Sequence, residues 1–169
     1  VERDEAYLPR RGPASRGLIV SSVQFLIGKT LGKYEVLEHI GHGGMSEVYK
    51  GQQAQLDRMV AIKVLHPFLA DEKGFVVRFQ REARIVATLR HPNIVQVYDF
   101  DYHDELGIYY MVMEYIDGLT LKDRLEEGPR SPEETILVGT AIADALDYAH
   151  QRGMVHRDIK PANIMFIND

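Results

Sequence analysis

The 169 residues suffice for one domain, and a 45% hydrophobic content is that of a globular protein with a buried core, which excludes a disordered or fibrous chain. A formal charge of -5 gives no electrostatic attraction to nucleic acid or to an anionic membrane, so any phosphate recognition must be local. The absence of cysteine excludes a disulfide framework, a thiolate zinc site and a cysteine nucleophile, and agrees with a reducing, cytoplasmic compartment.

Residues 1–28 mix Pro9, Pro13, Gly12 and Gly17 with scattered charge and show no periodicity, so they are expected to be a disordered leader outside the folded unit. The apolar run Leu18 to Ile27 is broken by Ser21, Ser22 and Gln24 and falls short of the roughly 20 residues that a spanning helix needs. No membrane span is expected. Arg10, Arg11 and Arg16 precede it, but no small-residue cleavage site follows to make it a signal peptide.

From residue 29 the pattern changes. Tyr34 to Ile40, Glu47 to Lys50, Arg58 to Leu65, Ile94 to Phe100 and Tyr109 to Glu114 are short, β-branched or aromatic, and separated by turn residues, which predicts five strands of an antiparallel sheet. Phe75, Phe79, Glu82, Val86 and Leu89 recur at helical spacing, and that helix is expected to stop before His91-Pro92. Ser131-Pro132-Glu133-Glu134 is a helix start: an N-cap serine, a proline at the first helical position and a glutamate three residues after the cap. Ile142, Leu146 and Ala149 then form an inward face, and Gly153 is placed to end the helix in the left-handed conformation. The fold class is α+β.

Three segments carry chemistry. In Gly41-His42-Gly43-Gly44-Met45-Ser46-Glu47-Val48, small residues let backbone N–H groups approach phosphate oxygens. A strand rather than a helix follows, so the loop is the tip of a hairpin and a dinucleotide-binding fold is excluded. In Val60-Ala61-Ile62-Lys63-Val64 the two-residue period puts Ala61 and Lys63 on one face and the three branched residues on the other. Glu82, within an apolar helical stripe, needs a partner there, and Lys63 is the obvious one. His156-Arg157-Asp158-Ile159-Lys160-Pro161-Ala162-Asn163 concentrates a carboxylate, two cations and an amide between the apolar residues Val155, Ile164 and Met165, so its polar groups are expected to face a cleft.

With His91-Pro92-Asn93-Ile94-Val95 and Met113-Glu114-Tyr115, these segments stand in the order found in the eukaryotic-type protein kinase family, and the sequence resembles bacterial serine/threonine protein kinases over residues 33 to 169. The resemblance implies a kinase small lobe over 29–114 and, from 115 to 169, a connector and the first part of a helical large lobe. It implies ATP and Mg2+ as cofactors and a protein Ser/Thr hydroxyl as phosphate acceptor. Gly41 to Val48 would cover the phosphates, Lys63 would grip them, and Glu82 would orient Lys63. Ile40, Val48, Ala61 and Met165 would sandwich the adenine, Met113 would guard the back of the pocket, and backbone groups of Glu114 and Ile116 would bond the purine. Asp158 would accept the hydroxyl proton, Lys160 would neutralise γ-phosphate charge, and Asn163 would be a magnesium ligand. Arg157 would receive a phosphorylated activation loop. Ser46 departs from the family's third glycine but stays small. The family's Asp-Phe-Gly segment does not occur before Asp169, so an incomplete domain is expected, with an apolar face between Ile136 and Ala149 lacking its cover. A truncated pseudokinase serving as a nucleotide- or protein-binding module is the alternative. A homodimer and membrane tethering through a segment outside this chain stay open.

Overall fold

The computed structural model describes residues 25–43, 46–65 and 73–167; in the helix over 73–88 the side chains of 73–76, 78, 79, 81 and 82 fall outside that description. Six strands form one antiparallel sheet: β1 (Thr30–Leu31), β2 (Tyr34–His42), β3 (Ser46–Gln53), β4 (Arg58–Leu65), β5 (Val97–His103) and β6 (Ile108–Glu114), in the spatial order β1-β2-β3-β4-β6-β5. Helix α1 (Lys73–Thr88) lies between β4 and β5 in the chain, and α2 (Leu121–Glu126) and α3 (Pro132–His150) follow β6.

The alternation read in β4 holds. Val60, Ile62 and Val64 point into a core with Leu26, Leu31, Tyr34, Val36, Tyr49, Ile108, Tyr110 and Val112, while Ala61 and Leu65 are buried on the opposite face, where Ala83 of α1 is also buried. Burying both faces makes β4 the spine of the small unit, since each apolar side chain removed from water contributes about 1.5–3 kcal/mol.

The expected five strands become six. Thr30 and Leu31 pair with Glu35 and Tyr34 across a turn at Gly32 (φ 59°), a strand too short to register as a period. A Cβ at Gly32 would meet the Tyr110 hydroxyl at 2.8 Å, so this turn needs glycine for space as well as for backbone angle. The leader boundary also moves. Residues 25–28, assigned to the leader by composition, form a turn in which Leu26 is 6% exposed and the Gly28 N–H donates to the Val36 carbonyl at 2.8 Å. Residues 1–24 lie outside the described residues. β5 begins at Val97 rather than Ile94, because Ile94 N–H closes a turn on the His91 carbonyl (3.1 Å) and that turn docks on α3.

The helix starts follow the capping rules. Ser131 Oγ accepts the Glu134 N–H at 3.1 Å with Pro132 in the first turn, and Gly153 (φ 75°) terminates α3. The Glu134 carboxylate turns instead to Arg124 (3.2 Å), and the reciprocal capping box sits at Thr120–Asp123, at the head of α2. Along α3, Ala145 and Ala149 are buried, Ile142 and Leu146 half-buried, and Ile136 and Leu137 exposed.

Candidate functional site

The glycine-rich segment is the tip of the β2–β3 hairpin. Gly41 pairs with Val48 and His42 with Glu47, and Gly43 N–H donates to the Ser46 carbonyl at 2.8 Å. A register irregularity between His39 and Gly41 leaves Ile40 43% exposed, whereas Ser46 is 6% exposed and Val48 half-buried. His39 Nε2 and Glu47 Oε2, 2.6 Å apart, tie the two strands just below the tip. Gly44 and Met45 lie outside the described residues.

Lys63 stands in the ladder between Val48 of β3 and Met111 of β6, beside the buried Ala61. Burial pushes its ammonium pKa down; Asp158 pulls it back up and Lys160 pushes it down further. Both of those groups belong to the loop that follows α3, almost a hundred residues later in the chain. Glu82 falls on α1, but its side chain is outside the described residues, so the expected Lys63–Glu82 pair is not part of the described geometry.

Met113 pairs with Ala61 on one side and Val97 on the other. The Glu114 N–H is held by the Gln96 carbonyl (2.8 Å), and the Gln96 N–H donates to the Glu114 carboxylate (3.3 Å). Lys50 Nζ lies 4.7 Å over the ring of Tyr115, and Ile116 is half-buried. Beyond the connector, Leu121 N–H donates to Ile164 O (2.8 Å) and Phe166 N–H to Leu119 O (2.9 Å), a short antiparallel bridge that carries Met165, 43% exposed, back to the connector. Arg124 clamps this bridge by stacking on Phe166 at 3.9 Å while pairing with Glu134.

The loop after α3 is organised around Asp158. Its carboxylate is 2.8 Å from Lys160 Nζ, and Asn163 Nδ2 donates both to that carboxylate (3.1 Å) and to the Asp158 carbonyl (2.8 Å). The Lys160 contact, aided by Asn163, lowers the carboxyl pKa below its ordinary value. Asp158 N–H donates to His156 Nδ1 (3.2 Å), and between them Arg157 holds φ at 65°, a left-handed conformation that disfavours a non-glycine residue by about 1–2 kcal/mol. Exposed Arg157 is thereby turned out of line with its neighbours.

Four contacts escape sequence inspection. Arg90 N–H donates to the Tyr148 hydroxyl (3.1 Å), His91 Nε2 meets Asp144 (3.1 Å), Asn93 Nδ2 reaches the Ala141 carbonyl (3.5 Å), and Gln96 closes its exchange with Glu114. The first three fasten the turn after α1 to α3; the motif His91-Pro92-Asn93 is the only signal of them in the chain. A concavity of about 380 Å³ lies between α1 and β5, lined by Gln80, Ala83, Arg84, Phe100 and Tyr102. It holds none of Lys63, Asp158 or Asn163, so the candidate site is assigned by its chemistry rather than by depth.

A family model described as "Protein kinase domain" matches residues 34–169. The chain belongs to the protein kinase family. It is 47% identical over 142 residues to the serine/threonine-protein kinase PrkC of Bacillus subtilis, covering 83% of this chain and 22% of that protein. It is 47% identical over 136 residues to the serine/threonine-protein kinase PknB of Mycobacterium tuberculosis, covering 79% of this chain and 22% of that protein. Among solved structures it resembles the Mycobacterium tuberculosis PknI kinase domain, with a TM-score of 0.74 and 38% identity over 83% of this chain and 58% of that one. The chain thus spans about a fifth of the length of these curated relatives. Among the described residues no helix is long and apolar enough to cross a membrane.

Proposed function

We propose that this chain is the ATP-binding part of a serine/threonine protein kinase that transfers the γ-phosphate of ATP to a protein hydroxyl. The observation that carries the reading is the loop after α3, where the Asp158 carboxylate lies 2.8 Å from Lys160 Nζ and 3.1 Å from Asn163 Nδ2. Residues 25–114 form the small lobe, and 115–169 the connector and first part of the large lobe. The sheet supplies a buried floor at Ala61 and the bridge at 119–121 supplies Met165; together with Ile40, Val48 and Met113 they would form the apolar clamp for a purine. The Glu114 N–H is already engaged by Gln96, so its carbonyl is the group left for the purine's exocyclic amine. Ile116 contributes its own N–H.

Magnesium fits the donors present. Asn163 spends its amide nitrogen on Asp158 and keeps its carbonyl oxygen, a hard donor of the type Mg2+ prefers. When bound, the ion would neutralise phosphate charge. Asp158, kept ionised by Lys160, accepts the proton of the substrate hydroxyl, Lys160 lies close enough to share the developing charge, and Lys63 grips the phosphates, oriented by Glu82. Ser/Thr specificity follows from the lysine two residues after Asp158, together with the names that PrkC and PknB carry. Arg157 is the docking point for a phosphorylated activation loop.

Calorimetric titration of the 169-residue chain with Mg2+ and ATP tests the reading. Saturable binding that Lys63→Met weakens at least tenfold supports it; no binding, or binding indifferent to Lys63→Met, overturns it. Binding without transfer to any Ser/Thr peptide, in a protein carrying the whole domain, would favour the binding-module alternative, for which the exposed Ile136 and Leu137 already offer a surface.

A further inference from the structure

Tyr115 stands between the two connector groups assigned to the purine, the Glu114 carbonyl and the Ile116 N–H. The peptide on one side of it is fixed by the sheet, since the Glu114 N–H donates to the Gln96 carbonyl at 2.8 Å. On the other side, among the described residues, the Ile116 N–H has no hydrogen-bond partner in the chain. What engages Tyr115 is a side chain from β3: Lys50 Nζ lies 4.7 Å over its ring, and both residues are half-buried.

Lys50 reaches that ring from the face of β3 that serves the cleft. It comes two residues after Val48 and so points to the same side, and it pairs directly with Ala61 of β4. Glu38 of β2 stands opposite it on the other flank. A cross-strand carboxylate is the ordinary partner for a lysine in a sheet, yet among the described residues the two form no ion pair. The ammonium lies on the ring instead, and a cation–π contact gains strength as water is removed from it.

We infer that Lys50 is a positioning residue for the purine site: its ammonium on the Tyr115 ring ties β3 to the connector and so sets the gap between the apolar clamp and the two connector peptides. The inference rests on the nucleotide reading proposed above. It assigns Lys50 to the purine end of the nucleotide, whereas Lys63, two residues after Ala61, serves the phosphates. A lysine that merely lent its charge to the phosphates would act more strongly the more phosphates the ligand carries. A clasp on the connector acts equally on all ligands with the same base.

NMR titration of the full chain with Mg2+ and AMP, ADP or ATP tests it in the parent, Lys50→Met, Lys50→Arg, Tyr115→Leu and the double variant of Lys50→Met with Tyr115→Leu. Lys50→Met is expected to weaken all three nucleotides by one common factor of roughly three to ten. Lys50→Arg, whose guanidinium also stacks on aromatic rings, should restore parent affinity, and Lys50→Met should add nothing in the Tyr115→Leu background. Unchanged affinity in Lys50→Met, a loss that grows from AMP to ATP, or the same loss in the Tyr115→Leu background overturns the inference. A parent that binds none of the three refutes the nucleotide reading itself, and the inference falls with it. Should Lys50→Met fail to fold, the parent decides: Lys50 ε-methylene protons shifted upfield by the ring, and returned to ordinary values by Tyr115→Leu, support the contact, and unshifted protons refute it.

Discussion

Replacing Gly51 by alanine should disturb the small lobe far more than one methyl group suggests. Gly51 sits in β3 opposite Val36 and Val60. An added Cβ would lie 2.5 Å from Ile62 Cδ1 and 2.7 Å from the Glu35 carbonyl oxygen, both well inside ordinary van der Waals contact. Ile62 is fully buried among its neighbours and Glu35 is held in the β2–β3 ladder, so neither side can retreat without moving others. Overpacking of this kind destabilises by about 1–3 kcal/mol. In a unit this small about 2 kcal/mol lowers the midpoint by roughly 10 °C. Circular dichroism melts of Gly51→Ala, Ile62→Val and the double variant measure it. Ile62→Val removes the clashing Cδ1, so the double variant should recover about 1 kcal/mol against the sum of the singles. A Gly51→Ala protein melting within 2 °C of the parent, or strict additivity, would refute the packing described around β3.

Three further outcomes follow from other contacts. The Asp158 carboxyl titrates below its ordinary 3.8, so its favourable contribution is held above that pH and fades as pH falls through the depressed midpoint; Lys160→Met should shift the midpoint upward in a carboxyl-carbon NMR titration, and an unchanged midpoint would deny the pairing. Ser131→Ala should cost about 1 kcal/mol in urea unfolding by freeing the Glu134 N–H, whereas Ser131→Asp should cost little. Tyr148→Phe should speed hydrogen exchange at Arg90 several-fold and leave Lys63→Met's effect on nucleotide binding unchanged, because the Arg90–Tyr148 bond is remote from the cleft chemistry.

Much of this was legible because it is local. β4 declared itself through strict alternation, Ser131-Pro132 through capping chemistry, and Gly153 through its place after an apolar helix. The loop at 156–163 was legible as a cluster, but the direction of its bonds was not: that Asn163 grips both ends of Asp158 depends on the 3₁₀ turn at Pro161–Asn163. β1 escaped because two residues have no period. The Thr120–Asp123 box escaped because no apolar run follows it to mark a helix. Gln96 and Tyr148 escaped for another reason: their partners lie 18 and 58 residues away, and each acts through one ordinary polar group. The leader boundary slipped by a few residues because a single buried Leu26 does not stand out within a polar, proline-rich stretch.

Among the described residues, the main core cluster lies between Leu26 and Val112 and takes no residue from the later part of the chain. The contacts that join these two parts, among the described residues, include directional bonds and ring contacts at His91, Asn93, Tyr148 and Tyr115. Such bonds resist sliding, since each has one favoured geometry. For the nucleotide cleft proposed above, a joint of directional bonds would let the gap open while the sheet keeps its shape.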